Sequence, residues 1–305
     1  MTPSAPHQPD SPLIQASELH AALSGPDAGA WLVLDCRFQL AHPQAGEAAY
    51  QQGHIPDAVY AHLDRDLSGA KDGHNGRHPL PDAARFIEGL RQWGLTPATR
   101  VVTCDDAGGM FAARAWWMLR HWLGHPWVQV LDGGWQAWLA LAHATAASDD
   151  GLASWVEDTL PPPRAPGHTG HLAVHDAQVL GCVDVLAGLD QPEAMRLLDA
   201  RAPDRFRGDN ETLDPVGGHI PGAVNRFFQL NLDADGRLKP AAQLRAEFDS
   251  LLGPGAAHTV VHQCGSGVTA CHNLLAMDVA GLTGTRLFAG SWSAWCADPS
   301  RPMTR

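Results

Sequence analysis

Residues 53–59 read GHIPDAV, and residues 218–224 read GHIPGAV. The features around them recur in the same order. LVLDCRF at 32–38 is answered by LLDARAPDRF at 197–206, VVTCDDAGGMFAARAWWML from Val101 by VVHQCGSGVTACHNLLAM from Val260, and LDGGWQAW at 131–138 by LFAGSWSAW at 287–295. Matched landmarks in one order, with only small drifts of register, make the chain two copies of one unit. Within each copy short apolar runs such as WLVLD, RVVTC, VQVLD, RLLDA and HTVVHQ alternate with helical stretches such as LPDAARFIEGLRQWG and PAAQLRAEFDSLLG. Continuous apolar strands separated by helices predict an α/β fold in which each copy is a mainly parallel sheet flanked by helices.

The 305 residues suit two domains better than one, and 45% hydrophobic against 18% charged residues provides for buried cores. The expected organisation is a flexible lead-in at 1–11, a first domain at 12–144, a linker at 145–170 and a second domain at 171–300. The linker carries PPP and is rich in Ala, Ser and Gly, which favours extended backbone. Lys and Arg number 21 against 33 Asp and Glu, a net charge of −12, so nucleic acid and anionic membranes are poor partners. No apolar run reaches membrane-spanning length. The opening MTPSAPHQPDSP has neither a basic nor an apolar segment, and a cytoplasmic address is expected. Six cysteines without a CxxC pair suggest neither a disulfide framework nor a zinc ribbon.

Duplication separates scaffold from chemistry. Residues present in both copies serve the shared fold: the Asp35/Arg37 and Asp199/Arg201 pairs, the GHIP turns, and Trp135/Trp138 with Trp292/Trp295. Residues present in one copy are candidates for function. Cys264 is the sharpest of these, standing where an apolar strand ends, before a loop with two glycines and a helical run. Glycines let successive N–H groups turn toward one centre, and the positive end of the helix points the same way, an arrangement that favours a thiolate. The corresponding residue of the first copy is Asp105, so one copy alone carries the nucleophile. Cys104 falls on the strand side and reads as core.

The duplicated unit, the GHIP turns, the RFRG segment and the loop CGSGVT resemble the two-domain rhodanese-like sulfurtransferases, the family of thiosulfate and 3-mercaptopyruvate sulfurtransferases. The resemblance covers roughly residues 12–300. It implies a catalytically silent first domain and a catalytic second domain whose loop, Cys264-Gly265-Ser266-Gly267-Val268-Thr269, opens with the nucleophile. By the same resemblance Arg205 binds substrate, and Ser266, His78 and Asp64 manage protons, the last two supplied by the first copy. Thiosulfate users of the family place basic side chains just after the cysteine, where Gly265 and Ser266 stand here, so the resemblance favours 3-mercaptopyruvate as donor, with thiosulfate as the alternative. A second substrate arginine belongs shortly before the GHIP turn. GDNETLDPVGGHIP has none, and either Arg207 substitutes or the donor differs.

The implied chemistry passes a sulfane sulfur from a small-molecule donor, through a Cys264 persulfide, to cyanide or a thiol, a thioredoxin-like protein among the possible acceptors. It needs no metal and no organic cofactor. Competing readings are weaker. The related phosphatase and arsenate-reductase loop, Cys-x5-Arg, requires Arg after five intervening residues, where Ala270 stands. A zinc set of His262, Cys264, Cys271 and His272 would need strand and helix side chains that point apart. Core packing is expected for Cys271 and a satisfied polar contact for His262. A non-enzymatic binding module would have no use for Cys264 in an intact glycine loop. An exposed Cys296 would be redox-sensitive.

Overall fold

The computed structural model describes residues 11–145, 155–253, 255 and 257–305. The first half contributes strands β1 (Leu13–Ile14), β2 (Trp31–Asp35), β3 (Val59–Tyr60), β4 (Arg100–Cys104) and β5 (Val128–Leu131), with helices α1 (Ala16–Leu23), α2 (Ala45–Gln52), α3 (Ala83–Gln92), α4 (Ala112–Trp117) and α5 (Gly134–Thr145). The second contributes β6 (Val179–Leu180), β7 (Arg196–Asp199), β8 (Val224–Asn225), β9 (Val260–Gln263) and β10 (Arg286–Phe288), with α6 (Cys182–Gly188), α7 (Pro203–Arg207), α8 (Ala241–Leu252), α9 (Thr269–Val279) and α10 (Ser291–Trp295). Strand orders β1-β5-β4-β2-β3 and β6-β10-β9-β7-β8 are one topology drawn twice, and every strand pair is parallel. All-parallel sheets bury both faces, which is why β2 and β9 are buried along their whole length.

The repeated residues brace the repeated fold. Arg37 donates to Asp35 at 2.7 Å and to the Gly53 carbonyl at 2.7 Å; Arg201 donates to Asp199 and to the Gly218 carbonyl, both at 2.8 Å. Each guanidinium lies over the tryptophan of its own copy, Trp135 or Trp292. One bond set therefore fastens each GHIP turn to the strand that precedes it.

The halves share an apolar core. Small side chains on α4 (Ala112, Ala113, Ala115) and on α9 (Ala270, Cys271) let these helices approach closely, and Leu119, Leu274 and Leu275 extend the same buried cluster. Polar bonds cross the seam as well: His272 meets the Gly108 carbonyl at 2.9 Å, and the Leu238 N–H donates to Asp132 at 2.9 Å. The lead-in at 1–11 lies outside the described residues save Ser11, and the connection at 145–170 is described only at 145 and from 155. From Trp155 it runs along the first half without helix: Glu157 pairs with His54, and the Gly167 N–H donates to the Arg91 carbonyl at 2.7 Å. No helix among the described residues is long and apolar enough to cross a membrane.

Candidate active site

In open parallel sheets ligands lodge beyond the carboxyl ends of strands where the strand order reverses. That point in the second half lies between β7 and β9. Cys264 follows β9, and Ala200 and Arg201 follow β7; all three border a cavity of about 170 Å3. Apolar walls come from both halves, Leu40, Met110 and Phe111 from the first and Phe227 and Phe228 from the second.

The loop after β9 is held rigidly. The Cys264 N–H donates to Ser291 Oγ at 3.0 Å, and the Cys264 and Gly265 carbonyls accept from Trp292 and Ser293. Gly267 donates its N–H to Cys264 Sγ at 3.2 Å. It has φ +79°, and a Cβ there would lie 2.3 Å from the Ala289 carbonyl oxygen, so this position admits only glycine. Val268 and Thr269 carry the chain into α9. Cys264 itself is 2% exposed.

The first half shows what such a loop is shaped to hold. Asp105, in the place of Cys264, accepts four backbone N–H bonds of 2.8 Å, from Ala107 and Gly109 on one oxygen and from Phe111 and Ala112 on the other. A carboxylate fills the anion cradle there. The second half keeps the loop and replaces the carboxylate with a thiol.

The structure brings Ser266, His78 and Asp64 together. His78 Nδ1 lies 2.7 Å from Ser266 Oγ, and its Nε2 lies 3.5 Å from Asp64 Oδ1, a facing charge without a formed hydrogen bond. A carboxylate opposite Nε2 favours the Nε2–H tautomer, which leaves Nδ1 to accept the serine proton. Burial, aided by the nearby cations of Arg114, Lys71 and Arg77, pulls His78 down to about 3, so the imidazole is neutral at physiological pH. His78 is buried.

Arg205 stands at the cavity, gripped by Glu211 at 2.7 Å and approached by Asp214 at 3.4 Å. Arg207 does not take the missing second arginine's place: its side chain is mostly exposed and pairs with Asp209 at 2.8 Å. Helix α7 turns Arg205 inward and Arg207, two residues on, outward. Two further expectations, for His262 and Arg201, need correction, and the state of Cys296, left open by the sequence, is decided. His262 has no satisfied contact, because both ring nitrogens are buried without a hydrogen-bond partner among the described residues. Cys296 is buried, and burial pushes its thiol up to about 11. Arg201, assigned wholly to the scaffold, also borders the cavity, with its Nη1 3.6 Å from Glu211. Cys271 packs in the core as expected, and the described residues contain no cluster of His, Cys, Asp or Glu suited to a metal ion.

Two arginines of the first half escaped sequence reasoning. Arg114 is fully buried on α4 and donates to the Gly267 and His78 carbonyls, both at 3.2 Å, tying the loop to His78. Arg77 lines the cavity beside Gly265. Arg114 has no counterpart in the second copy, the signal that singled out Cys264, but a cation inside an apolar helix carries no motif; Gly76-Arg77 is answered by Gly236-Arg237 and so gave no such signal.

The comparisons agree with this geometry. The rhodanese-like domain matches the chain twice, over residues 15–141 and 183–298. A protein of Pseudomonas aeruginosa named probable 3-mercaptopyruvate sulfurtransferase is 48% identical over 293 residues, 95% of this chain and 97% of the relative. The rat thiosulfate sulfurtransferase is 30% identical over 270 residues, 86% of this chain and 84% of that one. Among solved structures, 3-mercaptopyruvate sulfurtransferase from Leishmania major superposes with a TM-score of 0.79 at 30% identity, covering 95% of this chain and 75% of that one. With two parallel five-stranded domains, one thiol-bearing loop and these relatives, the chain belongs to the rhodanese-like family and is a sulfurtransferase with two tandem domains.

Proposed function

We propose that the protein takes sulfur from 3-mercaptopyruvate, holds it as a persulfide on Cys264, and passes it to cyanide or a thiol. The observation that carries this reading is the juxtaposition of Cys264, the Ser266–His78 pair and a guanidinium lining in one small cavity. The Cys264 thiolate attacks the donor's sulfur. A bond forms between the sulfurs, the carbon–sulfur bond breaks, and its electron pair leaves as the enolate of pyruvate. The proton first carried by the donor's thiol must end on the enolate carbon. Ser266, against a neutral His78 that can accept a proton, gives one proton as it takes another. The persulfide anion is then steadied by the Gly267 N–H and the cradle geometry that Asp105 displays in the first half. Cyanide, a small thiol or the thiol of a thioredoxin-like protein removes the outer sulfur and restores the thiolate.

The neighbourhood of Gly265 supports a monoanionic donor. Arg77 and Arg205 are paired with the buried carboxylates of Glu211 and Asp214, so a dianion such as thiosulfate would bring twice the uncompensated negative charge of a monoanion into a half-buried site. Six unpaired cysteines suit a reducing compartment, and we place the protein in the cytoplasm. The test is to incubate reduced protein with 3-mercaptopyruvate or with thiosulfate and weigh the intact protein and its peptides, with Cys264→Ser as control. One added sulfur on Cys264, with stoichiometric pyruvate, is expected from mercaptopyruvate. Faster loading by thiosulfate overturns the donor assignment.

A further inference from the structure

The tip of the 69–81 loop of the first half is docked against the second. Gly76, at φ +92°, places its backbone where a Cβ would lie 2.8 Å from the Gly290 carbonyl oxygen, and the Arg77 N–H donates to Ser293 Oγ at 3.1 Å. The next two side chains then diverge. His78 meets Ser266, while Arg77 turns to Asp214, with which it forms an ion pair, and to Gly265, whose Cβ position lies 2.7 Å from its Nη2. Arg205 reaches the same spot from α7, with its Nη1 3.4 Å from that position. Two guanidiniums thus flank the residue that follows the nucleophile, one from each half of the chain. Asp214, almost fully buried, touches both. The segment 208–218 supplies no cation. It supplies Glu211 and Asp214, the counter-ions that set the spacing of the two arginines.

We propose that Arg77 and Arg205 form a carboxylate clamp that spans the two domains, and that Arg77 supplies the second guanidinium absent from the segment before the GHIP turn. The assignment rests on the proposed use of an α-keto acid thiol and names the residue that selects it. Both side chains keep part of their surface open, 26% for Arg77 and 20% for Arg205, and both line the cavity above Cys264. A planar carboxylate is matched by such forked donors. The silent domain then contributes recognition of the donor as well as the proton partner, and the donor binds only where the two halves meet.

The test separates the clamp from the identity of the donor. Iodoacetate and iodoacetamide alkylate Cys264 by the same displacement and differ in the carboxylate. Arg77→Gln should lower the ratio of their alkylation rates by about ten-fold, the factor expected for one lost charge-assisted hydrogen bond, the iodoacetamide rate dividing out any change in the reactivity of the thiol itself. It should raise the KM for 3-mercaptopyruvate by at least the same factor, and by more than it lowers kcat, and Arg77→Lys should recover part of each effect. An unchanged alkylation ratio and unchanged KM in Arg77→Gln overturn the proposal. If the wild type does not use mercaptopyruvate but the ratio still falls, the clamp stands and the donor assignment fails. Should Arg77→Gln fold poorly, Asp214→Asn, which frees the Arg77 side chain, must shift the same ratio; no shift counts against the clamp.

Discussion

Acid is expected to unfold this protein well before its carboxylates titrate, because four histidines are buried in neutral form. Burial pulls His78 and His262 to about 3 and His125 and His272 to about 4, from an ordinary value of 6.5. In the unfolded chain each protonates near that ordinary value. Between it and the folded values the unfolded state binds more protons, so stability is full above 6.5 and drains as pH falls. From pH 7 to pH 5.5 each histidine withdraws somewhat over 1 kcal/mol and the four together roughly 5 kcal/mol, a large share of the stability of an ordinary domain. Thermal unfolding followed by circular dichroism should show the midpoint dropping by roughly 10 °C over that interval.

His262 isolates the effect. Its ring nitrogens face no partner among the described residues, so His262→Leu removes a buried unsatisfied group and should stabilise the protein at pH 7 by about 1–3 kcal/mol. It should also lose about a quarter of the acid sensitivity, since one of four equivalent contributions is gone while every carboxylate stays in place. A midpoint that is flat from pH 7 to 5.5, or an identical pH dependence in wild type and His262→Leu, refutes the reasoning.

Two further outcomes follow from the loops after β4 and β9. Asp105→Asn replaces two of four acceptor bonds with an amide that faces N–H donors, and should cost roughly 3 kcal/mol of stability in a denaturant titration while the folded fraction still loads sulfur on Cys264. Ser266→Ala removes the hydroxyl at 2.7 Å from His78 and should lower turnover of 3-mercaptopyruvate by roughly 100-fold, with alkylation of Cys264 by iodoacetamide unchanged; near-normal turnover would exclude Ser266 from proton transfer.

The two domains, their parallel sheets and the position of Cys264 were legible in the sequence because duplication prints the scaffold twice and the loop cysteine once. Apolar runs such as VVHQ and WLVLD encode strands locally, and a glycine loop between strand and helix encodes its own shape. What the sequence could not show was which first-half residues would reach across the seam. Arg77 stands next to His78 in the chain, yet an ion pair with Asp214 exists only once the domains have docked. Arg207 was the natural substitute by proximity to Arg205, and the turn of α7 sends it to solvent. Arg114 sits in an apolar helix and becomes meaningful only when α9 packs against α4 and offers the Gly267 carbonyl. The sequence by itself determined the repeat, the fold of each half and the place of Cys264 at the head of its glycine loop, all of which depend on local pattern. Tertiary structure alone decided the surroundings of that atom, because charge pairing and burial depend on distances between residues far apart in the chain.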